Sequence, residues 1–199
     1  MDTNELRSAV VAGLENGGER ELAARAADPL STEIRRLREL PGGAVAALFE
    51  AYPHPGASFY IGISGGRVFY LTDAPDAFAD MVRATGLRVT DEQTAADLAC
   101  EYVETTRTFG TFTTVLDSAD GINWATRPEK EPAYDVVAEV REAVRPPAAA
   151  AAGPGRYEVS VFVLHGDAVE RRVLTVTTDG SVTDRTEGVF PGLPVPISF

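Results

Sequence analysis

Apolar residues recur at helical spacing near the start of the chain. Leu6, Val10 and Leu14 fall four positions apart, and two glycines at 17–18 end the pattern. An alanine-rich stretch over 19–27 follows and stops before Pro29. The sequence therefore predicts two consecutive helices in the first thirty residues.

The next two segments also place apolar residues three or four positions apart. Ser31 is a plausible N-cap for a helix with Ile34, Leu37 and Leu40 on its buried side. After Gly42-Gly43, the run 45–52 repeats this spacing. We therefore expect helices over both segments and a helical N-terminal region of about fifty residues.

From residue 58 the pattern changes to strict alternation. Ser58–Ser64 and Arg67–Thr72 flank Gly65-Gly66, a two-residue loop suited to a tight hairpin. In this register Ile61 lies opposite Tyr70, and Gly62 lies opposite Phe69. Both faces are apolar, so we expect this hairpin to be covered on both sides and to form the centre of the sheet.

Two further helices and a second hairpin are predicted in the middle of the chain. Asp73 is the expected cap of the first helix, and Thr90 with Gln93 forms a capping box for the second. Residues 109–116 and 122–126 alternate around Asp120-Gly121, which favours a hairpin. A helix then begins at Pro132.

Residues 146–155 are rich in proline, alanine and glycine, which is typical of a linker. We thus divide the chain into 1–145, a helical N-terminal region plus two hairpins with helices; the linker; and 156–199, a three-stranded meander. The meander either completes the sheet or forms a small lobe. The predicted fold class is α+β, with a mainly antiparallel sheet of five to seven strands, N-terminal helices, and helices packed on the sheet.

The composition excludes several classes of protein. The 199 residues carry 30 acidic and 18 basic side chains, giving a net charge of −12 that disfavours nucleic-acid binding. No apolar run approaches the ~20 residues of a membrane span, and the N-terminus lacks a signal-peptide pattern. One cysteine, Cys100, excludes an internal disulfide. We expect a protein of a bacterial cytoplasm, with the arginine-rich composition of an actinobacterial sequence.

Half of the net charge is concentrated between residues 73 and 104. This segment has eight acidic residues against Arg83 and Arg88, a balance of −6. Six of the acids are spaced to form a stripe on each predicted helix, opposite its apolar side. Such stripes are either solvated helix faces or a docking surface for a basic protein partner. The six residues are Asp73, Asp76, Asp80, Asp97, Glu101 and Glu104.

Motifs of catalysis and cofactor binding give little support to an enzyme. Gly62–Gly66 matches the G-x-S-x-G pattern of hydrolases, but a strand follows it where that motif needs a helix. Glu101 beside Cys100 raises a thiol pKa, which favours an inert cysteine. Phosphate-binding glycine motifs and metal-ligand spacings are absent from the sequence, so we expect no cofactor and no metal.

Three residues could line a small-molecule pocket. His165 and Asp167 follow an apolar strand and could form a general-base pair, although a turn between strands has the same composition. Trp124, the one tryptophan, is either a core anchor or a pocket wall.

The sequence leaves two functions open. The first is a non-catalytic protein-interaction or accessory module, of the immunity or adaptor type, that uses the acidic helical face. The alternative is a small-molecule enzyme or ligand-binding protein with a pocket between a curved sheet and helices. The first is favoured because no catalytic motif fits its structural context.

Overall fold

The computed structural model describes residues 3–43, 46–52, 58–111, 113–125 and 132–195. Within these ranges it contains five α-helices and nine β-strands, and all strand pairs are antiparallel. The α+β class predicted from the sequence is confirmed, with the strands divided between two sheets. In chain order the elements are α1 (Thr3–Asn16), α2 (Arg20–Ala27), β1 (Glu33–Glu39), β2 (Ala46–Tyr52), β3 (Phe59–Ser64), β4 (Arg67–Tyr70), α3 (Pro75–Thr85), α4 (Glu92–Thr105), β5 (Thr113–Leu116), α5 (Pro132–Ala143), β6 (Ala148–Ala151), β7 (Arg156–His165), β8 (Ala168–Thr177) and β9 (Val182–Phe190).

The chain forms two compact units, each made of several segments. The first unit comprises Met1–Val89, Thr105–Gly110 and Asp179–Ser181. The second unit comprises Thr90–Glu104, Thr111–Thr178 and Val182–Phe199. The segment 146–155, predicted as a linker, thus lies inside the second unit.

The first unit is built on a four-stranded sheet in the order β1-β2-β3-β4. The helices predicted over 31–40 and 45–52 are wrong, because these segments form β1 and β2. Five of the seven side chains of β2 are buried, and the strand pairs on both edges. A strand covered on both faces has a continuous apolar run, which spacing alone does not distinguish from a helix.

The predicted β3–β4 hairpin is confirmed, together with its register. Ile61 lies opposite Tyr70 and Gly62 lies opposite Phe69. Gly65 and Gly66 have φ of 56° and 77°, the left-handed conformation that a tight hairpin turn requires. The hairpin was expected at the centre of the sheet. This is correct for β3, which is internal, and wrong for β4, which is an edge strand.

Both faces of this sheet are covered, as the apolar pattern of the hairpin predicted. On one face α1 and α2 pack against the strands, with Val10, Leu14, Phe49 and Ile61 in the core. On the other face α3 crosses Gly62, where an added Cβ would lie 2.0 Å from Met81 Sδ. Glycine at this position therefore allows the helix to approach the backbone of β3.

A buried carboxylate interrupts the apolar surface of β2. Glu50 is 4% exposed, on the side of the sheet that carries Gly62. Arg35 Nε donates to Glu50 Oε2 at 2.7 Å, and the Tyr60 hydroxyl donates to Oε1 at 3.2 Å. Arg107 Nη2 lies 4.0 Å from Oε1. Two cations and one hydroxyl thus compensate the desolvation of this carboxylate.

Arg107 comes from the short segment that follows α4. Its guanidinium lies 4.8 Å above the Tyr60 ring and donates to the hydroxyl of Ser58. Burial raises the pKa of Tyr60 to about 12, so this phenol stays neutral and can donate to Glu50. The segment is held further by Asp73, whose N–H donates to the carbonyl of Arg107 at 3.2 Å.

The predicted helix caps need correction. Asp73 does not cap α3: its carboxylate accepts the N–H of Phe109 at 2.9 Å, and Ala74 is the N-cap without a side-chain bond. At the start of α4 the cap is Asp91, whose Oδ1 accepts the N–H of Thr94 at 2.7 Å. The predicted capping box was shifted by one residue, because both Thr90 and Asp91 can act as caps.

The second unit is built on a five-stranded sheet with β7 at its centre. β5, β7, β8 and β9 are neighbours in that order, and β6 also pairs with β7. The predicted meander is present as β7, β8 and β9, and it belongs to the same sheet as β5. The 146–155 segment contains β6, whose Ala148 lies opposite Ser160.

The second predicted hairpin is wrong. β5 pairs with β7, and Ala119–Gly121 forms a short 3₁₀ turn. Ala119 and Ile122 are buried in the core of the second unit. Side-chain packing, and not strand pairing, therefore holds this segment in position. Residue 126, the end of the predicted hairpin, lies outside the described residues. The helix predicted from Pro132 is present as α5.

Replacing Glu50 by alanine should destabilise the protein by about 3 kcal/mol, because Arg107 would then be buried without its carboxylate. Urea unfolding followed by circular dichroism measures this change. Glu33→Ala is the matched control on β1, where Glu33 is exposed, and should cost less than about 0.5 kcal/mol. Equal effects of the two substitutions would contradict a stabilising role for the Glu50 contacts.

Candidate binding groove

An open groove lies beside the second sheet. It has a volume of about 470 Å³ and is lined by the end of α5, the connection to β6, and residues of β6, β7, β8 and β9. Its lining combines apolar and charged side chains. The residues that matter for its chemistry are Arg145, Ser160, Phe162, Arg171, Glu187 and Phe190.

Strand register brings the lining residues of the groove together. Phe162 lies opposite Arg171 in the β7–β8 pair, and Arg171 lies opposite Gly188 in the β8–β9 pair. An added Cβ at Gly188 would meet only Arg171 Cβ, at 3.9 Å. Glycine therefore leaves open space above β9, next to an aromatic ring and a guanidinium.

The groove lies where one face of the sheet changes character. Towards one end, Phe162, Leu164 and Val169 pack in the core with Val140 of α5. Towards the other end the face carries exposed ion pairs, such as Arg185 with Glu158 at 3.5 Å. Apolar and ionic surfaces thus meet in one concave region, which is typical of sites for amphipathic ligands.

Arginine dominates the charge of the groove. Arg171 Nε donates to Ser160 Oγ at 3.2 Å, and Arg171 Nη1 lies 3.5 Å from Glu187 Oε2. Arg145 Nη1 donates to the carbonyl of Val144 at 2.7 Å. The lining therefore holds two guanidinium groups against one carboxylate, a surplus of one positive charge in a chain of net charge −12.

The three residues predicted for a pocket lie in the same unit but do not line this groove. Trp124 packs against the core, and its buried Nε1 has no hydrogen-bond partner among the described residues. His165 Nδ1 lies 3.2 Å from Thr113 Oγ1. Asp167 is exposed in the β7–β8 turn, where its carbonyl accepts the N–H of Leu193. The described hydrogen bonds thus give the His165 imidazole a threonine partner.

The acidic stripe predicted on α3 is present in part. Asp76 and Asp80 are exposed and lie one turn apart. Asp80 also forms an ion pair with Arg83 at 2.5 Å. Asp73 precedes the helix and is bonded to the segment around Phe109, so it does not extend the stripe.

The stripe predicted on α4 requires a larger correction. Asp97 is exposed and accepts a hydrogen bond from Gln93 Nε2 at 2.8 Å. Glu104 is half-buried, and Glu101 is only 6% exposed. Helical spacing placed Glu101 opposite the apolar side, but α4 is buried around more of its circumference than one apolar stripe requires. The solvated acidic surface of this helix is therefore reduced.

The groove was missed by sequence reasoning for a structural reason. Its lining residues are separated by as many as 47 positions, and none belongs to a recognisable motif. The available signal was Arg171-Arg172 within an apolar strand, together with Gly188 in the last strand of the meander. Neither feature indicates a site until the register between the strands is known.

Neither a cluster of metal ligands nor a membrane-spanning helix occurs in the described part of the chain. No group of three or more His, Cys, Asp or Glu side chains there could hold a metal ion. None of the helices in that part is long and apolar enough to cross a membrane.

No protein-family model, curated protein or solved structure matches this chain. The chemistry of the groove and of the helix faces is therefore the basis on which a function can be proposed.

Cys100, on α4, has the properties of an unreactive thiol. Burial, followed by the carboxylates of Glu104, Glu101 and Asp97, raises the pKa of Cys100 to about 12. The expectation from the sequence that Glu101 disfavours the thiolate is confirmed. At neutral pH the group is a neutral, half-buried side chain without nucleophilic character.

Labelling of Cys100 by a thiol reagent should be roughly 100-fold slower in the native protein than in the unfolded chain at pH 8.5, because the raised pKa suppresses the thiolate. The reaction with 5,5′-dithiobis(2-nitrobenzoate), followed by absorbance, measures both rates. The chain has one cysteine, so each trace reports a single site. Similar rates in the two states would contradict the raised pKa.

Proposed function

We propose that this chain is a non-catalytic binding module whose ligand occupies the groove of the second unit. The observation that carries the proposal is the lining itself, in which Phe162 and Phe190 lie beside Arg145 and Arg171. Apolar walls with a few polar groups at fixed positions are the usual chemistry of a ligand site. This function combines two expectations from the sequence. The non-catalytic character comes from the favoured interpretation as an interaction module, and the ligand pocket comes from the alternative interpretation as a small-molecule enzyme or ligand-binding protein.

The surroundings of three potential catalytic groups support binding over catalysis. Ser64 ends β3 in a hairpin, so its G-x-S-x-G motif lacks the strand–turn–helix context of a hydrolase nucleophile. Cys100 has a raised pKa, and His165 contacts a threonine. None of these contacts forms the nucleophile–base pair that covalent catalysis uses.

Filling the groove should weaken the binding of a neutral apolar probe. Nile red fluorescence, titrated against the wild-type chain and Gly188→Leu, measures this. We expect at least fivefold weaker binding by the variant, because the leucine side chain would occupy the open space beside Arg171.

A matched pair on β6 controls for general changes in surface hydrophobicity. Ala148 lines the groove, whereas Ala150 lies two residues further along the same strand and outside the lining. Ala148→Leu should therefore weaken Nile red binding, and Ala150→Leu should leave it unchanged. Equal binding by all four proteins would rule out the groove as the probe's site.

The second candidate function is recognition of a basic protein partner by the acidic face of α3. The exposure of Asp76 and Asp80, one turn apart, favours this candidate. Charge complementarity of this kind accelerates association and is weakened by salt. Asp97 and the half-buried Glu104 on α4 could contribute separately.

Neutralising this face should weaken the binding of an arginine-rich peptide. The double variant Asp76→Asn, Asp80→Asn should raise the dissociation constant of the peptide about threefold at ~20 mM salt and change it little at ~300 mM salt. Fluorescence anisotropy measures both constants. Glu15→Gln with Glu21→Gln removes the same charge from exposed positions on α1 and α2. If this control weakens binding equally, net charge and not the α3 face accounts for the attraction.

A further inference from the structure

The geometry of the groove points to a ligand that ends in a carboxylate, namely a small organic acid with an apolar body. We propose this selectivity for the same groove, so it rests on the proposed function. Four charged or polar side chains lie among the apolar residues of the lining, namely Arg145, Arg171, Ser160 and Glu187.

Arg171 keeps hydrogen-bonding capacity for a ligand. A guanidinium has five N–H donors, and the contacts of Arg171 use Nε with Ser160 and Nη1 with Glu187. The side chain is 47% exposed. The planar fork of arginine matches the two oxygens of a carboxylate, which makes a charge-assisted pair in this position favourable.

Ser160 adds a neutral donor next to the guanidinium. Its oxygen accepts the hydrogen bond from Arg171 Nε at 3.2 Å. A serine hydroxyl both accepts and donates, so its own proton can be directed to a second acceptor. Arg171 and Ser160 together therefore offer donors of two kinds within one small region.

Glu187 can release Arg171 without becoming unpaired. Its Oε1 accepts a hydrogen bond from Arg185 Nη2 at 2.8 Å, whereas its contact with Arg171 is longer, at 3.5 Å. Long, exposed ion pairs contribute little free energy. An incoming carboxylate could thus replace Glu187 at Arg171 while Arg185 retains its partner.

The rest of the lining limits the ligand to a monoanion with an apolar part. Two guanidinium groups and one carboxylate leave a surplus of one positive charge, which matches a carboxylate better than a phosphate dianion. Phe162, Phe190 and Pro146 offer apolar surface for the body of the ligand. A cation would lie against the surplus positive charge of Arg145 and Arg171.

Decanoate and decan-1-ol separate the contribution of the carboxylate from that of the chain. They share the same aliphatic body and differ in the charged end. Isothermal titration calorimetry of the full chain should show that decanoate binds at least tenfold more tightly than decan-1-ol. Trp124 packs against the core cluster that includes Phe162, so its fluorescence provides an independent readout.

Arginine variants test which side chains provide the selectivity. Arg171→Gln and Arg145→Gln should each weaken decanoate binding at least fivefold and leave decan-1-ol binding unchanged. Arg141→Gln is the matched control, because Arg141 is exposed on α5 and does not line the groove. If a variant fails to fold, the comparison of the two ligands on the wild-type chain decides the question.

The possible outcomes distinguish the two proposals. Equal binding of decanoate and decan-1-ol, or decanoate binding that is insensitive to both arginine variants, would overturn carboxylate selectivity. Absence of decanoate binding, while Nile red still binds in a Gly188-dependent manner, would overturn the selectivity and leave the proposed groove function intact. If Gly188→Leu changes the binding of none of the probes, the proposed function itself is wrong.

Discussion

A carboxylate buried within β2 sets the main constraint on the first unit. Removing Glu50 from water costs several kcal/mol unless cations and hydrogen-bond donors surround it. Arg35 meets part of this requirement from the neighbouring strand, and Arg107 meets the rest from the segment after α4. The chain leaves the first unit at Val89 and re-enters it at Thr105, so this unit depends on a segment that is distant in sequence. Local propensity within residues 1–89 does not supply that cation.

The β3–β4 hairpin could be predicted because its information is local. Alternation gives the two faces, and Gly65-Gly66 fixes the turn and hence the register. β1 and β2 could not be predicted in the same way, because Leu48, Phe49 and Tyr52 satisfy helical spacing as well as a buried strand. The discordant residue was Glu50, an acid within an apolar run. Its burial becomes understandable only when Arg35 and Arg107 are placed beside it, and both contacts are long-range.

The groove illustrates a different limit of sequence reasoning. Alternation correctly predicted β7, β8 and β9, but the lining depends on which residues of three strands lie opposite one another. Phe162, Arg171 and Gly188 become neighbours through that register, which shifts at an irregularity between Arg171 and Arg172. The residues predicted from the sequence, Trp124, His165 and Asp167, were chosen for their chemical type and, for His165 and Asp167, for their place after an apolar strand. In the second unit Trp124 packs against the core, His165 lies beside Thr113, and Asp167 lies in an exposed turn.

The position of the groove explains how a chain of net charge −12 can hold a site with surplus positive charge. At physiological ionic strength, exposed charges are screened beyond about 8 Å, so distant acids repel a bound anion only weakly. The guanidinium groups of Arg145 and Arg171 act at contact distance, beside aromatic side chains that lower the local polarity. Long-range attraction would therefore add little to binding, and selectivity would arise from short-range contacts. Such a site favours molecules that contact the apolar wall and a guanidinium group at the same time. An anion without an apolar part would gain only the guanidinium contacts, which are the weaker part of the interaction.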